Sequence, residues 1–373
     1  MFQRTLFIFL LYSVNVFSQS NENQTFKLVG VINSDTGTVT LRQMTFSDFY
    51  PGIEKNLSSK VTNGRFVFEG ILKNPIGFEI IYNNSYWSDL FVIEPGIQEI
   101  SIDLNSVVKT PKVSNSAMKE QNEYLLAFSQ YEIKRKLFDK KQDSLYALYK
   151  NNFPEKIKLE IANEISESYK ENDELLLKYV QTHPDSYFAL WKLVRLNTFG
   201  YEDIFDSIFN AFSEALKNSQ TGKMLATYLE REKRTSIGAK FPKIQLVNTQ
   251  NKKSGSLLFG KKFTLIDFWY SNCRPCIAQF EDLNKINEKY SSQFEIVGIS
   301  TDELKHKQDW LNVIKTKGLN WRQYWDCDGK EATKLSIRTF PTNFLVNADG
   351  EIIKKNIKPA QLEEFLRNNS VPL

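Results

Sequence analysis

The stretch from Phe263 to Phe280, FTLIDFWYSNCRPCIAQF, constrains this chain more than any other. Phe263-Thr264-Leu265-Ile266 opens a run too short for a helix and rich in strand formers. Asp267-Phe268-Trp269 continues it, which predicts a buried strand. Tyr270-Ser271-Asn272 turns the chain, and Cys273-Arg274-Pro275-Cys276 leads into apolar residues at Ile277, Phe280, Leu283, Ile286 and Tyr290. Intervals of three and four put these on one helical face. Cys273 therefore falls where a strand hands over to a helix, beside unpaired backbone N–H groups and the positive end of the helix dipole, both of which favour a thiolate. Arg274 adds a cation next to it. Pro275 suits the first turn, where its missing N–H has no intrahelical partner to lose. Two residues between the cysteines let both sulfurs meet on one turn, so the pair can pass between dithiol and disulfide with little backbone movement. As a brace it would be poor, because the chain-entropy view gives about 2 kcal/mol for so short a loop against roughly 3 for fifteen residues.

The segment resembles the thioredoxin-like superfamily, in which an acid, Phe-Trp, a few residues and Cys-x-Pro-Cys run from strand to helix. Asp267 stands six residues before Cys273 and matches the family's buried acid beneath the second cysteine. Thr339-Phe340-Pro341-Thr342 matches the loop that carries the family's cis-proline. The strand Ile296-Val297-Gly298-Ile299-Ser300, a helix, and Asn343 to Gly350 look most like exported TlpA/ResA-type thiol:disulfide oxidoreductases. One departure bears on redox poise and substrate preference: many members carry Trp before the first cysteine, where this chain has Asn272.

The resemblance implies an α/β thioredoxin-like domain over residues 237–373 and a set of roles for its residues. Cys273, expected to be the more exposed thiol, attacks a substrate disulfide, and Cys276 resolves the mixed disulfide. Asp267, its pKa raised by burial, takes the proton that Cys276 must lose; a plain hydrogen-bonded strand-end residue is the other reading. A cis Phe340-Pro341 bond would aim the backbone of Phe340 at the thiols, ready to pair with an extended substrate segment. Trp269 is a substrate contact or core packing. Arg274 and Pro275 tune the site. The implied partners are protein thiols and disulfides of the cell envelope and a membrane thiol electron donor, in cytochrome c maturation or repair of exported thiols. No cofactor beyond the cysteine pair and no metal are expected.

Other readings stay open. Zinc on Cys273 and Cys276 would need Cys327 and His306 to complete four ligands. A peroxidase would use one cysteine in a different local frame. A non-catalytic reading makes the domain an interaction module of the cell envelope.

The chain has 373 residues, which suggests two or three domains, and its 48 basic and 44 acidic residues give no bulk charge for a nucleic-acid partner. Residues 1–18 read as a secretory signal peptide: Arg4, an apolar run from Leu6 to Phe17, and Val16-Phe17-Ser18 before Gln19. The apolar core is shorter than the ~20 residues of a membrane span, and no cysteine follows for a lipid anchor. Export to the periplasm or cell envelope is the expectation. Only three cysteines occur, too few for a disulfide scaffold, and Cys327 reads as a buried or idle thiol or else a regulatory or resolving one.

Residues 25–110 read as a small antiparallel β domain of sandwich or barrel type. Strands are predicted at Phe26 to Ile32, Gly37 to Leu41, Phe78 to Tyr82, Leu90 to Ile93 and Ile97 to Asp103. Asn63-Gly64 between Lys60-Val61-Thr62 and Arg65-Phe66-Val67-Phe68 is a hairpin signal. Over residues 114–235 the period turns helical. Ser116 is taken as the cap of a long helix bearing Tyr124, Phe128, Tyr131 and Leu137, and His183-Pro184-Asp185-Ser186 as a helix start. Lys134-Arg135-Lys136 and Lys140-Lys141 read as a solvated basic face. Thr235 to Lys240 is the expected hinge. The last domain then opens with an edge strand at Phe241 to Leu246, followed by helices at Leu304 to Lys317 and Lys330 to Leu335, a turn at Asp349-Gly350 and a closing helix from Pro359.

Overall fold

The structure, a computed structural model, describes residues 25–53, 56–150, 153–254, 257 and 259–369. The signal-peptide reading lies outside these residues. Among the described residues no helix is long and apolar enough to cross a membrane.

The chain begins with nine strands: β1 Thr25–Ile32, β2 Thr36–Gln43, β3 Leu57–Thr62, β4 Arg65–Ile71, β5 Ile76–Tyr82, β6 Tyr86–Trp87, β7 Phe91–Ile93, β8 Gly96–Ile102 and β9 Lys112–Val113. They are hydrogen-bonded in the order β6-β5-β2-β3-β4-β1-β8-β9, with β7 also on β5. Asn63 and Gly64 turn the β3–β4 hairpin with positive φ at both positions, the conformation that a two-residue hairpin needs. Pairing is antiparallel except where β1 runs parallel to β8, Leu28 opposite Gln98. The alternation in β1 sends Phe26, Leu28 and Ile32 into the core.

Helices α1 Gln121–Ala127, α2 Ser129–Tyr149, α3 Glu155–Thr182, α4 Tyr187–Asn197, α5 Asp203–Ala211, α6 Glu214–Lys217 and α7 Gln220–Lys233 follow. Their apolar faces do not close on one another alone. One continuous core runs from Phe26 and Phe78 of the sheet to Trp191, Tyr228 and Leu229 of the helices. Ser116 is not the cap expected of it: Asn115 accepts from the backbone of Met118, while the Ser116 hydroxyl donates to Glu94. Two helices meet at Phe128 where one was expected, and Leu137 points into solvent. Ser186 does cap α4, accepting from Ala189 N. The basic face is solvated, with Lys134 paired to Glu171.

The last domain is a second sheet. Its strands are β10 Leu246–Asn248, β11 Lys253–Ser254, β12 Phe263–Trp269, β13 Phe294–Ser300, β14 Arg322–Trp325, β15 Thr342–Asn347 and β16 Ile352–Lys355, in the order β11-β10-β14-β13-β12-β15-β16. The three central strands β12, β13 and β14 are parallel, and β15 returns antiparallel against β12. Helices α8 Arg274–Lys289, α9 Lys307–Thr316, α10 Lys330–Lys334 and α11 Pro359–Asn368 cover it. One core joins Leu265 and Trp269 to Phe280, Trp310 and Leu362; the other joins Ile266 and Phe268 to Phe241, Leu335 and Ile337.

Two expectations change here. Regular strand begins only at Leu246; ahead of it Phe241 packs edge-on to Phe344 without forming a strand. The segment read as a hinge is stitched to the sheet edge: Gly238 N donates to Ile352 O, Ile352 N to Ala239 O and Phe241 N to Gly350 O, each at 2.8 Å. Thr235 is buried.

The seat of α4 on β5 depends on a missing side chain. A Cβ at Gly77 would lie 2.7 Å from the Trp191 ring, whose Nε1 donates to Pro75 O at 3.2 Å. Gly77→Ala is expected to cost about 1–3 kcal/mol by overpacking. Thermal unfolding measures this, and an unchanged Tm would mean that the helices do not rest on this strand as described.

Candidate active site

All seven residues of β12 are buried. Because side chains alternate along a strand, Leu265, Asp267 and Trp269 face the core that holds α8, while Ile266 and Phe268 face the other. Tyr270, the first residue past the strand, emerges at the surface, and Cys273 N closes the following turn onto Tyr270 O at 3.0 Å.

Cys273 is the N-cap of α8. Its Sγ accepts the backbone N–H of Cys276 at 3.2 Å, taking the place of an oxygen cap, and Pro275 sits in the first turn. The two cysteines are joined by a disulfide, their Cα atoms 5.3 Å apart. Cys273 is not the more exposed sulfur: each residue retains 1% exposure, because the cap folds Cys273 over the first turn instead of out to solvent. What separates the two is the helix terminus, which offers an N–H and the dipole's positive end to Cys273 alone. Arg274 is exposed beside it.

The turn before the pair is anchored from behind by Asp302, two residues past β13. Its carboxylate accepts from Ser271 N at 2.9 Å, Ser271 Oγ at 2.6 Å and Ser300 Oγ at 2.7 Å, and its carbonyl accepts from Trp325 Nε1 at 2.7 Å. Neither Ser271 nor Asp302 stands out in the sequence reading. The one available signal is an acid just after a strand that ends in serine.

Asp267 is 3% exposed, and burial pushes its carboxyl up to about 7. It shares the face of β12 that meets α8, the helix carrying Cys276. Trp269 does not reach the surface. It is 1% exposed and meets Phe280 edge-on at 5.1 Å, so strand alternation makes it core and hands the surface position to Tyr270. The Phe340-Pro341 bond is cis. The Phe340 ring lies edge-on to Tyr270 at 5.4 Å, and no hydrogen bond among the described residues uses the Phe340 backbone.

Cys327 starts the turn after β14 and is half-buried against the core that contains Cys273 and Cys276. Burial and its hydrogen bond with Asp328 push its thiol upward, away from thiolate. His306 pairs with Asp309 through Nδ1 at 2.9 Å. Among the described residues no group of three or more His, Cys, Asp or Glu side chains is placed to hold a metal ion.

A central parallel strand feeding a helix capped by a bonded cysteine pair, with an antiparallel return strand entered through a cis-proline, defines a thioredoxin-like domain. Residues 237–355 match the AhpC/TSA family, which spans under half of the chain. The chain is similar to the thiol-disulfide oxidoreductase ResA of Bacillus cereus, 27% identical over 144 residues that cover 38% of this chain and 82% of that protein. It is also similar to the sporulation thiol-disulfide oxidoreductase A of Bacillus subtilis, 29% identical over 127 residues, 33% of this chain and 76% of the relative. Among solved structures, a thiol-disulfide oxidoreductase from Bacteroides fragilis is 29% identical with a TM-score of 0.32, covering 35% of this chain and 98% of its own.

A carboxyl raised by burial lowers stability once ionised. With an unfolded value near 3.8 and a folded value of about 7, the native state is least penalised below pH 4 and loses stability as pH rises to 7. Asp267→Asn removes that titration. Its gain in Tm over the wild type is expected to be small at pH 4 and to grow at pH 8 to the equivalent of a few kcal/mol. A Tm difference that is flat across pH would show that Asp267 ionises normally.

Proposed function

We propose that this chain is an exported thiol:disulfide oxidoreductase that reduces protein disulfides through Cys273 and Cys276. The observation that carries the proposal is the helix-capping sulfur of Cys273, which receives an N–H at the helix start, where a developing thiolate gains the dipole. In the reduced pair the Cys273 thiolate attacks one sulfur of a substrate disulfide. A mixed disulfide forms and the first substrate sulfur leaves as thiolate. Cys276 then loses its proton, attacks Cys273 and releases the second substrate sulfur, so that two electrons pass to the substrate and the Cys273–Cys276 bond closes.

Asp267 is the acceptor for the Cys276 proton in this scheme, since a carboxyl near 7 exchanges protons at working pH. The unused backbone of Phe340 and the exposed ring of Tyr270 offer an extended peptide an added-strand partner and an apolar rest. Arg274 favours the thiolate by charge, and Pro275 keeps the first turn preorganised. Residues 1–18, read as a signal peptide, support work outside the cytoplasm on thiols of the cell envelope, including those of cytochrome c maturation, with a membrane thiol donor returning the pair to dithiol. Names of the relatives support the reaction class.

The purified chain, once reduced, should reduce insulin. Cys273→Ser should abolish this, and Cys276→Ser should accumulate a covalent mixed disulfide visible on a non-reducing gel. Equilibration with glutathione should place the pair below the glutathione potential if it works as a reductant. Failure of the wild-type pair to interconvert under any thiol buffer would end the proposal.

A further inference from the structure

Arg338 stands three residues ahead of Pro341, at the base of the loop that presents Phe340. Its partners belong to the N-terminal part of the chain. Nη2 donates to Asp48 Oδ2 at 2.9 Å and is hydrogen-bonded to the Tyr228 hydroxyl. The guanidinium lies over the rings of Phe46 at 4.5 Å and Tyr228 at 4.9 Å, and these two rings stack on each other at 5.3 Å. The Tyr228 hydroxyl in turn donates to Asp48 Oδ2 at 2.6 Å. Phe46 and Asp48 come from the β2–β3 connection and Tyr228 from α7, so two separate elements converge on one side chain of the redox domain. A planar guanidinium held between a carboxylate and aromatic faces is fixed in position and in plane, which a lysine could not match.

Nothing in the reaction described above needs this arrangement, and among the described residues no side-chain hydrogen bond or ring contact joins another residue of the loop 338–341 to the N-terminal part. The clasp joins the sheet-and-helix unit to the peptide-presenting loop, and the strap of Gly238 and Ala239 on Ile352 holds the same unit to the neighbouring edge of the sheet. Positioning matters most for a substrate that must align a length of backbone, and least for a small disulfide that needs only the sulfur.

We propose that the N-terminal unit serves to position the substrate loop, with Arg338 as the positioning residue clasped by Asp48, Tyr228 and Phe46, and that it thereby suits the enzyme to extended polypeptide disulfides. The proposal rests on the oxidoreductase reading given above and names the substrate class of that site.

The test uses the full chain with Arg338→Ala, Asp48→Asn and Arg338→Lys. Hydrogen–deuterium exchange over residues 339–345 should speed up in the first two variants. KM for a disulfide-linked peptide should rise about tenfold in Arg338→Ala and less in Asp48→Asn. Turnover of a small aromatic disulfide and the potential of the cysteine pair should stay as in the wild type, and Arg338→Lys should not restore KM. Unchanged exchange and unchanged peptide KM in both Arg338→Ala and Asp48→Asn would overturn the proposal. Equal losses on peptide and small disulfide would overturn it too, since the loop would then act on the chemistry and not on alignment. If Arg338→Ala does not fold, Asp48→Asn decides by the same measurements. If the wild type turns over neither disulfide, the oxidoreductase reading falls, and the clasp is decided by exchange alone, unchanged rates refuting it.

Discussion

Complete burial of β12 on both faces is the constraint on which the redox domain depends. Phe263, Leu265 and Trp269 belong to the core under α8, and Ile266 and Phe268 to the core closed by Phe241 and α10. A slip of one residue would exchange the two sets, so register is fixed by packing alone. That register decides that Asp267 lies on the α8 side, that Trp269 is inside, and that Tyr270 is the first side chain to meet solvent. The cysteines land at the helix start for the same reason, because a short turn from a fixed strand end has little freedom.

The pair itself is held by polar contacts. Ser271 gives both its N–H and its hydroxyl to the buried carboxylate of Asp302, and Trp325 secures Asp302 from the next strand. A carboxylate with three donors in a buried site is stiffly placed. The turn that carries the pair is therefore held in place from behind. The helix supplies the electrostatics and the sheet the geometry, and burial raises the proton affinity of the Asp267 carboxyl on the same face of β12.

The parts of this structure that were legible in the sequence are those where local chemistry leaves one choice. Asn63-Gly64 makes the hairpin, Ser186 caps its helix, and the strand, turn and Cys-x-Pro-Cys run fold as their pattern says. Where several local choices were equal, tertiary contacts decided. Ser116 and Asn115 are both good caps, and Glu94 draws off the serine. Strand β14 has only four residues, two of them Arg322 and Gln323, and becomes a strand because β13 and β10 offer edges on both sides. The exposure of Cys273 could not be read from its place at a helix end, because capping turns its sulfur inward. The parallel pairing of β1 with β8 and the clasp on Arg338 join residues far apart in sequence, where pattern alone says nothing.

The parallel pairing of β1 with β8 sets an order on assembly. β1 lies between β4 and β8, so the first described strand of the chain is an interior strand of its sheet. As the polypeptide emerges, Phe26 waits until Gly96 is available before both its edges are filled. Contacts of such sequence separation slow folding and leave an apolar edge open meanwhile. A chain that emerges residue by residue therefore cannot close this sheet from its front end before the eighth strand arrives.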